Sequence, residues 1–569
     1  MVRVLSPYLL ESNATLYRKH QSLHLDHGVA LGRRQSHRRG YHRVGRALCL
    51  VAATIVVVLN AGCGSPATGL RTFVAPTANP QVALYTVDTG ESASVTIRFG
   101  TTTEYGLRTW TQETPPGGGS VSIYVAGMQA NSTYHMQAVV EFPAGPTIYD
   151  TDHVFRTGSY PATDIPGVVA STAAGQTPQP GIEIVNAIYA PAAIAAYDLA
   201  GHLIWAYIDP TLNTVGVDWL APKLLPNGDF IAIISANSSI PLNGTVPSGA
   251  PNLVREFDLA GKIVKQITMA QLNAELSAKG YNLNLLLFSH DITVLPNGHW
   301  LVLANTIKSV VLNGQTTPTE VLGDVIVDLD TNLQPVWIWN EFDHLDVNRH
   351  PWNFPDWTHT NAVIYSPTDG NLLVSIRHQN WIVKVNYADG AGNGDILWRL
   401  GAGGDLKLIG GTDPTDWPYA QHGINFTTSM TAGDFGLAVF DNGDDRVYPG
   451  GDPNNAQTCG ANGTPACYST VPVFQIDESA RTATLEFHQL LPPSLYSNFG
   501  GDAMMLSNGD IEYDDCGLAS KSSEVFEVSN GPSPETIWTM QIPDDYAYRA
   551  YRLPGLYPGV QWPSSAGSN

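Results

Sequence analysis

Charge is scarce in this chain of 569 residues and mostly of one sign: 14% of residues are charged, with 51 acids against 29 bases. The first 62 residues hold nine of the bases and two of the acids, leaving 20 bases against 49 acids in the remainder, a net charge of −29. A body this acidic repels phosphate backbones and anionic headgroups, so no nucleic-acid partner is expected. Cysteine is rare too. Of five, Cys49 and Cys63 fall at the basic N-terminal end. Cys459 and Cys467 bracket a Gly/Asn/Pro loop with no His or further Cys nearby, so a local disulfide in an oxidising compartment is expected there rather than a metal site. Cys516 has no Lys, Arg or His just before it and reads as a small buried residue, not a nucleophile. Long helical patterns are also missing. Only Thr268–Gly280 reads as helix, with Gly280 as its C-cap.

The apolar run "ALCLVAATIVVVL", Ala47–Leu59, is too short to span a bilayer of roughly 30 Å as a helix. It follows the basic stretch Arg33–Arg46 and precedes "NAGCGS", the layout of an export signal over residues 1–62. "LNAGC" resembles the bacterial lipoprotein signal, in which Cys63 becomes lipid-modified. Lipidation at Cys63 and plain secretion are both open, and the expected location is periplasmic or membrane-anchored.

A linker over 63–79 leads into short β-rich runs, "ASVTIRFG", "SVSIYVAGMQANSTYHMQAVVEF" and "DTDHVFRTG". These predict a small β-sandwich over 80–159, and Tyr134 heading an alternating strand resembles fibronectin type III domains. From 165 to 560 one pattern recurs: a strand, an Asn-Gly or Asp-Gly turn, a second strand, another turn, then a Trp-bearing strand. "LLPNGDFIAI", "HDITVLPNGHWLVLA" and "GDAMMLSNGDIEY" are examples. Five full units, with one more shared between "IEIVNAIYAPAAIAAYDLAGHLIWAYI" and the terminal "AYRAYRL", predict an all-β, six-bladed propeller.

The first strand of each propeller blade faces the channel, so residues opening these units converge on the axis. Three units open on histidine: His290 in "SHDITV", His359 in "THTNAV" and His422 in "QHGINF". One such histidine would read as a core or surface residue; three at corresponding positions point to a site. In "DWTHTNAVIYSPTDGNLLVSIRHQNW" a turn centred near Thr368 and Asp369 pairs residues whose numbers sum to about 737. That brings Asn361 close to Arg377 and His359 close to His378. Arg377 is expected in the channel with His378 directed away, the alternative being a surface ion pair for Arg377.

A guanidinium, an amide and several imidazoles around one point suit an anionic oxyacid. Arg forks onto two oxygens, Asn adds a neutral donor, and protonated imidazoles support charge developing on oxygen. A phosphate site would add a Gly-rich nest at a helix N-terminus or carboxylates holding Mg²⁺, and neither is evident. No HxH or HExxH pair occurs here and Arg377 opposes a cation, so neither a metal nor a cofactor is expected. Trp352, Phe354 and Trp357 in "RHPWNFPDW" form a candidate lid or pocket edge for a flat apolar group, or merely pack the loop.

"SHDITVLPNG", "DWTHTNAV" with "SIRHQN", "QHGINF" and "YRAYRLPGLYP" together resemble the bacterial arylsulfate sulfotransferases over roughly residues 165 to 560. That family moves sulfate between phenols without a nucleotide donor, and is a six-bladed propeller preceded by a small β-sandwich. The resemblance implies that His422 is transiently sulfated and that His290, His359, Asn361 and Arg377 bind the sulfuryl group; His378, like Trp352, Phe354 and Trp357, is a candidate substrate-binding residue. It implies a two-step reaction on aryl sulfates and phenols. Neutral His422 attacks sulfur, a phenol leaves, and an acceptor phenol takes the group, with His359 or His290 moving the proton. In the family a disulfide loop precedes the nucleophile, whereas Cys459 and Cys467 follow it, so no role transfers to them. A reading from another class is a non-catalytic exported propeller that binds anionic or sulfated ligands through the same groups. A third, a quinone-cofactor dehydrogenase, lacks its usual Ca²⁺ carboxylate site.

Overall fold

A computed structural model describes residues 70–188, 193–209, 211–212, 217–236, 250–455, 459–460, 465–543 and 545–563. The export segment and Cys63 lie outside the described residues. The described chain is all-β apart from 3₁₀ turns and one helix, Met269–Ala278, whose capping box joins Thr268 and Gln271. Gly280, just beyond its end, takes φ +84°.

Two small sheets come first. Arg71–Pro76, Ala83–Thr89 and Gly119–Val125 form one, while Ser94–Gly100 and Thr133–Glu141 lead the other. Burial at every second residue of "ALYTVDT" and "SVTIRFG" gives both sheets an apolar face on a shared core. The linker expected up to residue 79 is therefore shorter: Arg71–Pro76 already pairs antiparallel with Ala83–Asp88, since "RTFVAP" can cover an edge that would otherwise be open.

Six sheets of four antiparallel strands follow, two of them carrying an added outer strand, Val169–Thr172 or Lys407–Ile409. Their inner strands are Ala547–Leu553, Val217–Leu224, Phe288–Val294, Thr360–Tyr365, His422–Thr431 and Asp502–Met505. Each inner strand touches the next in that order, and the last touches the first. Segments from the two ends of the six-sheet region complete the first sheet, where Ile182–Ala187 pairs with Ala547–Leu553.

Sequence chemistry explains the repetition. In "LPNGD", "LPNGH" and "LSNGD" the same turn recurs, with Gly228, Gly298 and Gly509 left-handed and donating to Leu225, Leu295 and Leu506 carbonyls at 2.8–2.9 Å. The Trp of an outer strand joins its sheet to the neighbour. Trp205 Nε1 donates to Leu259 O at 2.8 Å, Trp339 Nε1 to Gly394 O at 2.8 Å, and Trp538 Nε1 to Leu199 O at 2.8 Å. Three inner strands are bulged near their starts, with register shifts at Phe288/Ile292, Thr360/Ala362 and His422/Ile424. Such bulges re-aim side chains, and here they lie beside the three histidines.

Candidate active site

His359 stands at the entry to the inner strand of the fourth sheet, in a left-handed conformation at φ +51°. That conformation disfavours a residue with a Cβ, so its neighbours must hold it. Thr358 Oγ1 and Thr360 N both donate to Asp324 Oδ2 at 2.8 Å, and the Thr360 hydroxyl donates to Glu341. Burial raises the Asp324 carboxyl to about 6. His359 Nδ1 meets Asp356 Oδ2 at 2.6 Å. Burial alone would raise the Asp356 carboxyl, but the charge and hydrogen bond of His359 and the charge of Arg377 hold it below the usual carboxylate range.

Arg377 and His378 lie in a 3₁₀ turn, Arg377–Gln379, directly after the strand Leu372–Ile376. Arg377 NH1 donates to His378 Nε2 at 2.5 Å, and NH2 donates to Asp444 Oδ2 at 2.8 Å and to Asn498 O at 3.0 Å. His378 Nδ1 donates to Asp356 O at 2.8 Å, so with Nε2 accepting, this ring is neutral and both nitrogens are used. Burial first holds His378 well below the ordinary histidine value. Trp352 stacks on His378 with ring centres 4.5 Å apart and lies 4.8 Å from the Arg377 guanidinium carbon.

His422 opens the inner strand of the fifth sheet and is 1% exposed. Its position is fixed from the fourth sheet: Gln421 Nε2 donates to Trp381 O at 3.0 Å, and Ala420 N to Asn380 Oδ1 at 2.8 Å. His422 Nδ1 meets Asn442 Oδ1 at 2.7 Å. Burial, then the Arg377 charge, hold His422 well below the ordinary histidine value.

His290, at φ +54° in the third sheet, is buried with Nδ1 unpartnered among the described residues. Burial, then His359, hold it well below the ordinary value. Its ring centre is 4.7 Å from that of His359, and His359 is 6.5 Å from His422. Tyr548 lies between them, 5.9 Å from His290 and 6.1 Å from His422. Below it Arg549 crosses the ring, NH1 donating to Asp291 Oδ1 at 3.2 Å and NH2 to Asn361 O at 2.7 Å. A cavity of about 870 Å³ lies at the other end of the inner strands, walled by turns such as Leu224–Asn227 and Val294–Pro296. It contains none of these histidines.

His290, His359, Arg377, His378 and His422 thus meet in one place, and three departures from the sequence reading stand out. First, the pairing sum of 737 holds from Ala362 to Tyr365, but a bulge at Asn361 shifts Thr360 onto Ile376. The strand ends there, so Arg377 and His378 turn into the same region instead of opposite ones. Second, Asn361 Nδ2 donates to Gln421 O at 2.7 Å, leaving one N–H of the expected donor. Third, the aromatic trio splits. Trp352 joins the site, Phe354 packs on His350 at 4.5 Å, and Trp357 is 0% exposed in the core, donating to Arg349 O at 2.9 Å. Arg377 also pairs with Asp444, a buried carboxyl that burial raises to about 6, rather than with a surface acid.

Asp356, Asn442, Asp444, Tyr548 and Arg549 escaped the sequence reading. Asp356 could have been found three residues before His359, but Asn442-Gly443 looked like one more hairpin turn. Asp356, His359 and His378 are close enough to hold a metal ion. The Arg377 guanidinium against His378 Nε2 and the internal bonds of the trio disfavour one. Cys459 and Cys467 are bonded to each other, and Cys516 is buried.

The arylsulfotransferase (ASST) family model matches residues 170–549, which is 380 of the 569. The chain belongs to this family. Membership supports aryl sulfotransferase chemistry in general, on aryl sulfates and phenols. No curated protein matches the chain. Among solved structures it is similar to a quinonprotein alcohol dehydrogenase-like protein from Bacteroides thetaiotaomicron, at 11% identity over 81% of this chain and 94% of that one, TM-score 0.31. It is also similar to the intramolecular trans-sialidase of Ruminococcus gnavus, at 10% identity over 84% and 98%, TM-score 0.26. At such scores neither likeness carries an argument. The arylsulfotransferase match spans all three histidine-bearing inner strands and the Arg377 turn.

Proposed function

We propose that the six sheets are the blades of one closed propeller, preceded by a fibronectin-III-like sandwich. Its axial site moves a sulfuryl group from an aryl sulfate to a phenol through His422. The observation that carries this is the meeting of His290, His359, His422 and Arg377 from three sheets, with His422 buried and held by burial and the Arg377 charge well below the ordinary histidine value. In the first step the Nε2 electron pair of His422 forms an N–S bond. The aryl O–S bond breaks, and the departing oxygen takes a proton from Nε2 of His359, whose positive charge Asp356 compensates. In the second, the acceptor phenol returns a proton to His359 as its oxygen attacks sulfur, and the N–S pair goes back to His422. The free N–H groups of Arg377 and Asn361 stabilise the sulfonate oxygens, and Trp352 offers an aryl wall. No cofactor takes part.

Location outside the cytoplasm, with or without lipid on Cys63, belongs to the same proposal; the Cys459–Cys467 disulfide favours an oxidising compartment. The test mixes purified protein with 4-nitrophenyl sulfate and phenol. Expected are nitrophenol release that depends on phenol, an equal yield of phenyl sulfate, and parallel double-reciprocal plots. Intersecting plots would contradict transfer through the enzyme, and a protein that only binds would give no turnover.

A further inference from the structure

We infer that Asn442 is a positioning residue that fixes the tautomer of His422, holding the proton on Nδ1 and leaving Nε2 with its electron pair. The assignment rests on hydrogen bonding around a fully buried amide. Asn442 Nδ2 donates to two main-chain carbonyls, Ser497 O at 2.8 Å and Gly500 O at 3.1 Å. Flipping the amide would set its oxygen against both carbonyls with no hydrogen between, so the orientation is determined by the network. Oδ1 therefore faces His422 Nδ1, and an oxygen with no hydrogen accepts only from N–H. The ring cannot reverse its protonation without losing that bond at a fully buried pair.

The neutrality of Asn442 matters as much as its geometry. A carboxylate at the same place would favour the doubly protonated ring, which has no pair to give. An amide orients the ring without that penalty. The loop that supplies both carbonyls is itself held by Ser469, whose Oγ donates to Asn442 O at 3.0 Å while Ser497 N donates back to Ser469 Oγ at 3.0 Å. Ser469 does not touch His422 in this arrangement.

The inference concerns the site proposed above, but its first test needs no turnover. In a long-range ¹H–¹⁵N spectrum of protein labelled in histidine, assigned by comparison with His422→Gln, the His422 signals should report Nδ1 protonated and Nε2 bare. A proton found on Nε2 overturns the inference even in an active enzyme. Kinetics add a second readout. Asn442→Asp should move the acid limb of kcat/KM upward by about one to three pH units, since an opposite charge beside an imidazole raises its pKa by that order. Asn442→Ala should lower kcat/KM by about 10- to 100-fold, with its His422 spectrum redistributed between tautomers. Asn442→Asp with the profile of the unsubstituted protein would reduce Asn442 to a packing residue.

Discussion

His422 and His359 lie 6.5 Å apart, and they differ most in what holds Nδ1: a neutral amide in one case, a carboxylate in the other. The amide orients His422 while burial keeps it uncharged, which suits a nucleophile. The carboxylate faces Nδ1 of His359, an arrangement that suits a carrier of protons. In the proposed mechanism one residue type thus takes two roles through its partner and not through its own identity.

The largest expected effect tests whether the two are interchangeable. His422→Asn should reduce sulfuryl transfer by about 10⁴-fold or more, as removal of a nucleophile does. A loss under tenfold in a release assay would end the distinction. Arg377→Gln is expected to cost about 10²- to 10³-fold in kcat/KM, the scale of losing a preorganised donor to developing charge. His359→Gln should cost about 10²-fold with sulfates of weakly acidic phenols, but far less with 4-nitrophenyl sulfate, whose phenolate departs with little need of a proton. Equal losses with both substrates would contradict the acid role.

The pH dependence sharpens the same contrast. Burial lowers His422, so its neutral form persists as pH falls below the ordinary histidine range, and uptake of the sulfuryl group is lost only when pH falls through the depressed value. An acid limb near 6.5 in single-turnover measurements would show an unperturbed nucleophile. The smallest effect falls on the aromatics: Trp352→Ala should raise KM several-fold with kcat little changed, whereas Trp357→Phe should alter melting temperature and not KM.

The repeating turns, the Trp-bearing outer strands and the pairing of early with late strands in the first sheet were legible because each is a local pattern with a local cause. The meeting of His290, His359 and His422 was legible because repeat position stands in for distance. What was hidden depends on breaks in regularity. The bulge at Asn361 turned a sound register into a wrong orientation for His378. Asn442 carried a turn-like dipeptide while its side chain served the fifth sheet, and Trp357 shared a motif with Trp352 but points into the core. Side-chain direction at such points is set by tertiary contacts that no spacing encodes.

The central claim is that the Nε2 pair of His422 accepts the sulfuryl group. Brief mixing with 4-nitrophenyl sulfate without an acceptor, followed by digestion and mass spectrometry under mild conditions, measures it directly. The account predicts one added SO₃ on the peptide containing His422, discharged by phenol and absent in His422→Asn. An adduct on another residue, or acceptor-dependent turnover with no adduct at all, would contradict it.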